Sequence, residues 1–127
     1  MEMKLPVTAQ GADAFAHDWI AAWNARDLDA IMGFYADKVH FRSPTAHNLL
    51  QDGRVEGAYE LRRYFAKALA LVEHLHFELR AIFTGHDSVT IFYRNQNGMD
   101  AAETFLFDGE GNVETSFAAY RLDGSGS

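Results

Sequence analysis

Ser88-Val89-Thr90-Ile91-Phe92-Tyr93-Arg94, then Asn95-Gln96-Asn97-Gly98, then Met99-Asp100-Ala101-Ala102-Glu103-Thr104-Phe105-Leu106-Phe107 is the stretch on which the fold turns. Two runs rich in β-branched and aromatic residues flank a short Asn/Gly turn, which is the pattern of an antiparallel hairpin. Outward on both sides the pattern repeats. Thr84-Gly85-His86-Asp87 and Asp108-Gly109-Glu110-Gly111-Asn112 are further short turns. They divide the second half into strands near 75–84, 87–95, 99–107 and 113–121. Four strands joined this way form a meander.

The first half reads as helix. Asp13 is placed to cap a run whose apolar residues Phe15, Ala16, Trp19, Ile20, Ala22 and Trp23 recur at helical spacing. Asn24-Ala25-Arg26-Asp27 interrupts it. A second short helix is expected from Asp27 through Tyr35, ending at Ala36-Asp37. Val39-His40-Phe41-Arg42-Ser43 alternates with period two and Pro44 stops it. Residues 44–56 read as a long loop, a candidate lid. A third helix is expected from about Gly57 to Val72, with Leu61, Tyr64, Phe65, Ala68, Leu69 and Val72 on one face. Helices first and a meander after is the α+β order, with helices collected on one face of a bent sheet.

The chain has 127 residues, enough for one domain. We read 1–10 as an N-terminal extension, 11–122 as the domain and 123–127 as a flexible tail or cloning scar. With 48% apolar and 23% charged residues it is globular rather than disordered. Eighteen acids against 11 Lys and Arg give −7, which disfavours nucleic acid or an anionic membrane as partner. The absence of cysteine removes disulfides, thiolate metal sites and Cys nucleophiles. No stretch approaches the ~18 apolar residues of a membrane span, and the N-terminus lacks the apolar core of a signal peptide. The expectation is a cytoplasmic protein. Several strands are apolar at both parities: Val89, Ile91 and Tyr93 on one face against Phe92, and Ala118 and Tyr120 against Phe117 and Ala119. Helices cover one face only, so the outer face is expected to pack on a second copy in a homodimer.

The string Trp19-Ile20-Ala21-Ala22-Trp23-Asn24-Ala25-Arg26-Asp27-Leu28-Asp29-Ala30-Ile31 is followed by Phe34-Tyr35-Ala36-Asp37 and Val39-His40-Phe41-Arg42-Ser43-Pro44. Together with Gly53-Arg54-Val55-Glu56-Gly57 and Phe107-Asp108-Gly109-Glu110-Gly111-Asn112-Val113 it resembles the nuclear transport factor 2-like superfamily, SnoaL-like group. The resemblance spans about residues 12–121. It implies a cone-shaped fold: three N-terminal helices packed on a strongly curved, mostly antiparallel sheet that encloses an apolar pocket. It specifies the fold well and the chemistry poorly, because the superfamily hosts isomerases, cyclases, dehydratases, epoxide hydrolases and non-catalytic binders. The rings expected to line the pocket are Phe15, Trp19, Trp23, Tyr35, Phe41, Tyr64, Phe65, Phe105 and Phe107.

Ketosteroid isomerase, a distant member, pairs a base carboxylate with an oxyanion hole made by a tyrosine and a protonated Asp. Carried over motif by motif, the tyrosine falls on Trp19, the base on Ser43 and the protonated acid on Glu103. Serine does not shuttle protons between carbons at neutral pH, and the indole N–H donates but does not titrate. The chain is therefore not expected to be a ketosteroid isomerase of that mechanism.

Glu103 shares parity with Phe105 and Phe107. A carboxyl among such rings has a raised pKa and serves as general acid or base near neutral pH. The alternative is a carboxylate on the outer face paired with Arg80 or Arg94. Tyr120 on the adjacent strand has the parity to share the pocket, and Ser43 is placed to orient a ligand. Among the histidines, His74 and His76 sit at same-face strand spacing without a third ligand, so no metal is expected. His47 is the one to consider for proton transfer. An Asp-Arg-Asp arrangement would need Arg94 between Asp100 and Glu103, whereas Arg94 and Asp100 flank a turn at the rim. The reading is a small-molecule protein for an apolar organic ligand, without organic cofactor. It is either an acid/base enzyme on a cyclic or carbonyl substrate or a non-catalytic binder or accessory domain.

Overall fold

The computed structural model describes residues 3–122, and the tail at 123–127 lies outside them. Helix α1 spans Ala9–Asn24. It starts one turn earlier than Asp13 would dictate. Thr8 is extended, and its Oγ1 accepts from the Gly11 N–H at 3.0 Å, which caps the first turn. The helix thus begins inside the expected extension, which also packs. Val7 N–H donates to the His86 carbonyl, and Met3 is buried over Gly111. A Cβ at Gly111 would lie 2.5 Å from the Met3 nitrogen, and its φ is +85°. Both facts restrict that turn to glycine.

Helix α2 is Leu28–Met32, shorter than expected because the chain leaves the helix at Gly33. Tyr35 opens strand β1, Tyr35–Arg42, and Tyr35, Val39 and Phe41 are its buried side chains. Residues 44–56 are not a loop. Ser43 is extended, and its side chain accepts from the Thr45 N–H at 3.1 Å. Pro44 then occupies the first turn of helix α3, Pro44–Leu50, where its missing N–H costs nothing. Strand β2, Arg54–Glu56, follows and pairs antiparallel with β1. Helix α4 is Ala58–Leu71 and buries Leu61, Tyr64, Phe65 and Leu69. The meander is β3 Glu78–Thr84, β4 Ser88–Arg94, β5 Asp100–Phe107 and β6 Val113–Tyr120.

The fold is α+β, a cone that among the described residues has four helices and one six-stranded sheet ordered β2-β1-β6-β5-β4-β3. All pairs are antiparallel except β1–β6, which run parallel with Phe41 beside Ser116. The inner face of the sheet meets α1 and α4. At the closed end Phe15 stands edge-on to Phe34, Phe105 and Phe107, with centroids 5.4, 4.9 and 5.0 Å away. On the outer face Phe83, Thr90, Thr104 and Phe117 stand opposite one another across four strands. Ala81, Phe92, Ala102 and Ala119 form the next row. Both rows are free of charge. No helix among the described residues is long and apolar enough to cross a membrane.

Two contacts shape the open end. Asn24 pairs with the backbone of Phe77, donating to its carbonyl at 2.9 Å and accepting from its N–H at 2.7 Å. Arg26, at φ 56°, donates to the Val72 carbonyl at 2.7 Å and to the Leu69 carbonyl, satisfying the C-terminus of α4.

Candidate active site

A cavity of about 450 Å³ opens between α1, α3, α4 and the sheet. That is within the ~300–1,000 Å³ of ordinary small-molecule sites. Eight rings line it: Trp19 and Trp23 from α1, Phe41 from β1, Tyr64 and Phe65 from α4, Phe77 before β3, Tyr93 from β4 and Tyr120 from β6. The polar amides Asn48, Asn95, Gln96 and Asn97 also line it. Its lining contains no lysine, arginine or histidine among the described residues, and Glu103 is its one carboxyl.

Glu103 lies on β5 opposite Ile91 and is only 5% exposed. The Tyr93 hydroxyl donates to its Oε1 at 3.3 Å. Burial pushes the carboxyl up to about 7, against the smaller opposing effect of the Tyr93 hydrogen bond. No cationic group among the described residues relieves it. Arg94 Nε donates to Asp100 Oδ1 at 3.0 Å, and Arg121 reaches the other oxygen of the same carboxylate at 3.3 Å. Arg94 first, and Arg121 with it, hold Asp100 below the usual carboxylate range. Arg80 pairs with Glu78 at 3.0 Å. The outer-face alternative for Glu103 is thereby overturned, and no arginine sits between two carboxylates in the cavity.

Four tyrosines feel the Glu103 charge: Tyr35, Tyr64, Tyr93 and Tyr120. Burial is the first cause that raises each of them, so all four remain protonated donors. The Ser43 hydroxyl works against burial at Tyr64, and Thr45 works against it at Tyr120. The Thr45 hydroxyl donates to Tyr120 Oη at 2.9 Å. Ser43, Thr45 and Tyr120 therefore tie the start of α3 to the last strand.

Of the residues singled out by sequence, Trp19, Trp23, Phe41, Ser43, Tyr64, Phe65, Glu103 and Tyr120 meet on this wall. Phe15, Tyr35, Phe105 and Phe107 do not. They share the inner parity but lie deeper, in the packed core. Trp19 Nε1–H donates to Tyr35 Oη at 3.2 Å, so the indole N–H is spent on the core rather than offered to a ligand. His47 is exposed on the last turn of α3, off the cavity wall. It borders a separate shallow groove beside Arg42 and Arg54. No group of three metal-ligating side chains occurs among the described residues.

Phe77 and Tyr93 were not singled out. Phe77 stacks on Trp19 at 5.8 Å and lies 4.5 Å from Tyr93. The signal for Tyr93 was its parity with Ile91, which places it diagonal to Glu103 across the hairpin.

The sequence profile of the SnoaL-like domain matches residues 16–123. No curated protein matches the chain. A SnoaL-like protein of unknown function from Burkholderia thailandensis is 39% identical. The match covers 92% of this chain and 100% of that one, with a TM-score of 0.87. TerC, crystallised with polyporic acid, has a TM-score of 0.70 at 14% identity, over 83% of this chain and 87% of its own. A protein of ketosteroid isomerase-like fold from Catenulispora acidiphila, in complex with trimethylamine, has a TM-score of 0.66 at 17% identity. That match covers 84% of each chain. The last two show likeness of fold. The chain belongs to the SnoaL-like domain family.

Proposed function

We propose that the chain is a small-molecule acid/base enzyme, of isomerase, cyclase or hydratase type, acting on an apolar cyclic or carbonyl substrate. One observation carries the reading: a buried carboxyl, unpaired with any cation, on the wall of a ligand-sized aromatic cavity. Such a group is divided between its two protonation states near neutral pH, which suits proton transfer. As carboxylate, Glu103 takes a proton from the carbon beside the carbonyl. The electron pair moves to the carbonyl oxygen, where a protonated Tyr64 or Tyr120 hydroxyl donates to it. Glu103 then returns the proton to another carbon or to the same one. The test is deuterium incorporation beside the carbonyl of cyclic ketones in heavy water. Wild type should exchange, and Glu103→Gln should fall to background; equal rates in both would refute the assignment.

A second reading, a non-catalytic binder, is favoured by the state of Ser43 and Tyr120. The Ser43 oxygen accepts from the Thr45 N–H and Tyr120 Oη from the Thr45 hydroxyl, so both oxygens serve the fold itself, and each keeps an O–H with which to hold a ligand. Ligand-induced shifts in melting point with steroids, polyketides and fatty acids, without exchange chemistry, would select it.

We also propose that the outer sheet face packs on a second copy. Phe83 is 59% and Phe117 41% exposed at the two ends of an uncharged four-strand row. Such a surface matches the apolar centre of a dimer interface.

A further inference from the structure

We propose that the cavity, when Glu103 is ionised, is a receptor for small tertiary or quaternary ammonium ions. The inference takes the cavity as the ligand site, as the proposed function does, and adds a ligand class that the acid/base reading does not require.

The argument rests on the wall. Trp19, Trp23, Phe77 and Tyr93 interlock, with centroid distances between 4.5 and 6.1 Å. Phe41 and Tyr64, 5.7 Å apart, belong to the same lining. Ring faces carry negative electrostatic potential, and an ammonium among several of them is attracted without needing hydrogen bonds. A methylated ammonium is also weakly hydrated, so stripping its water costs less than for a primary amine.

The charge balance points the same way. Among the described residues the lining has one carboxyl and no cation. A neutral apolar ligand leaves the buried Glu103 without a counter-charge. An organic cation supplies the missing counter-charge and covers the rings with its alkyl groups. Anionic ligands such as fatty acids are disfavoured by the same arithmetic.

The groups facing Glu103 are tyrosines from every packed element that carries a titratable side chain towards it: Tyr35 on β1, Tyr64 on α4, Tyr93 on β4 and Tyr120 on β6. None of them titrates near neutrality. Asp100, on the same strand, is already paired with Arg94 and Arg121. A permanent cation should therefore bind with one titration, that of Glu103 itself. Affinity should be constant above about pH 8 and fall towards tenfold per unit well below the carboxyl pKa of about 7. A carbonyl ligand that accepts from protonated Glu103 should show the opposite slope.

The experiment compares choline with its carbon isostere dimethylbutanol, by calorimetry at about pH 8 and about pH 5.5, on wild type and Glu103→Gln. A cyclic ketone is the third probe. Choline is expected to bind wild type at least about tenfold more tightly than the isostere at the higher pH. That preference should collapse at the lower pH and in Glu103→Gln. Equal binding of choline and isostere to wild type, or a preference that survives in Glu103→Gln or ignores pH, overturns the proposal. The wild-type pH comparison decides the matter even if the variant misfolds. Binding of the ketone alone sinks the ammonium inference and leaves the acid/base reading standing. Failure of all three probes sinks both.

Discussion

Glu103 holds its proton up to about 7, where an ordinary glutamate gives it up near 4.5. Between those values the folded chain binds more protons than the unfolded one. Stability is therefore greatest below the lower value, falls as pH rises through the interval and levels off above the upper one. The loss is roughly 3 kcal/mol at its plateau. Glu103→Gln keeps the shape and the Tyr93 contact but has no proton to lose. Urea titrations at acidic and mildly alkaline pH should show wild type losing most of that amount relative to the variant. A gap between the two proteins that ignores pH would contradict the buried carboxyl. Ser116 is a second informative residue: its hydroxyl is fully buried and has no hydrogen-bond partner among the described residues. Ser116→Ala should leave stability unchanged or raise it by up to about 1 kcal/mol, read in the same titrations.

At the scale of elements, α3 depends on its first residues. Ser43→Ala removes the side-chain acceptor for Thr45 N–H. The cost should be about 1 kcal/mol, and Ser43→Asp should recover most of it. Amide exchange across 45–50 should quicken in the Ala variant; if exchange there is unchanged, the cap is not what holds the helix. This element also marks where the sequence was hard to read. The meander was legible because alternation and Asn/Gly turns are local signals, and all four strands lie within a few residues of their expected limits. Ser43-Pro44 is ambiguous locally: proline both ends a strand and opens a helix. Only the backbone position of Ser43 decides between them. The start of α1 was misplaced for a similar reason: Asp13 has the chemistry of a cap, but the structure uses Thr8 instead.

For the whole molecule, strand parity revealed which face looks inward but not how deep along the cone each ring lies. Glu103, Phe105 and Phe107 share a face, yet only Glu103 reaches the cavity. Depth is set by where α1 and α4 cross the sheet, which is a tertiary property. The proposed dimer belongs to this scale as well. Phe117→Lys places a charge in the uncharged outer row without touching the cavity wall. Sedimentation equilibrium should show wild type at twice the chain mass and the variant at the monomer mass. A monomeric wild type would remove the interface.

The parallel pairing of β1 with β6 has a consequence for biogenesis. Phe41 must wait for Ser116 before its strand acquires a neighbour on that side. While the ribosome is still producing the middle of the chain, α1, α2 and β1 have no meander on which to close. Their aromatic stripe can meet α4 and Phe77 once those emerge, but β1 joins the meander only with the last strand. Closing so distant a contact late is slow, and until then the edge of β1 that β6 will cover is open to other chains. Aggregation during rapid synthesis should therefore respond to chaperone supply more than to the stability of the finished fold.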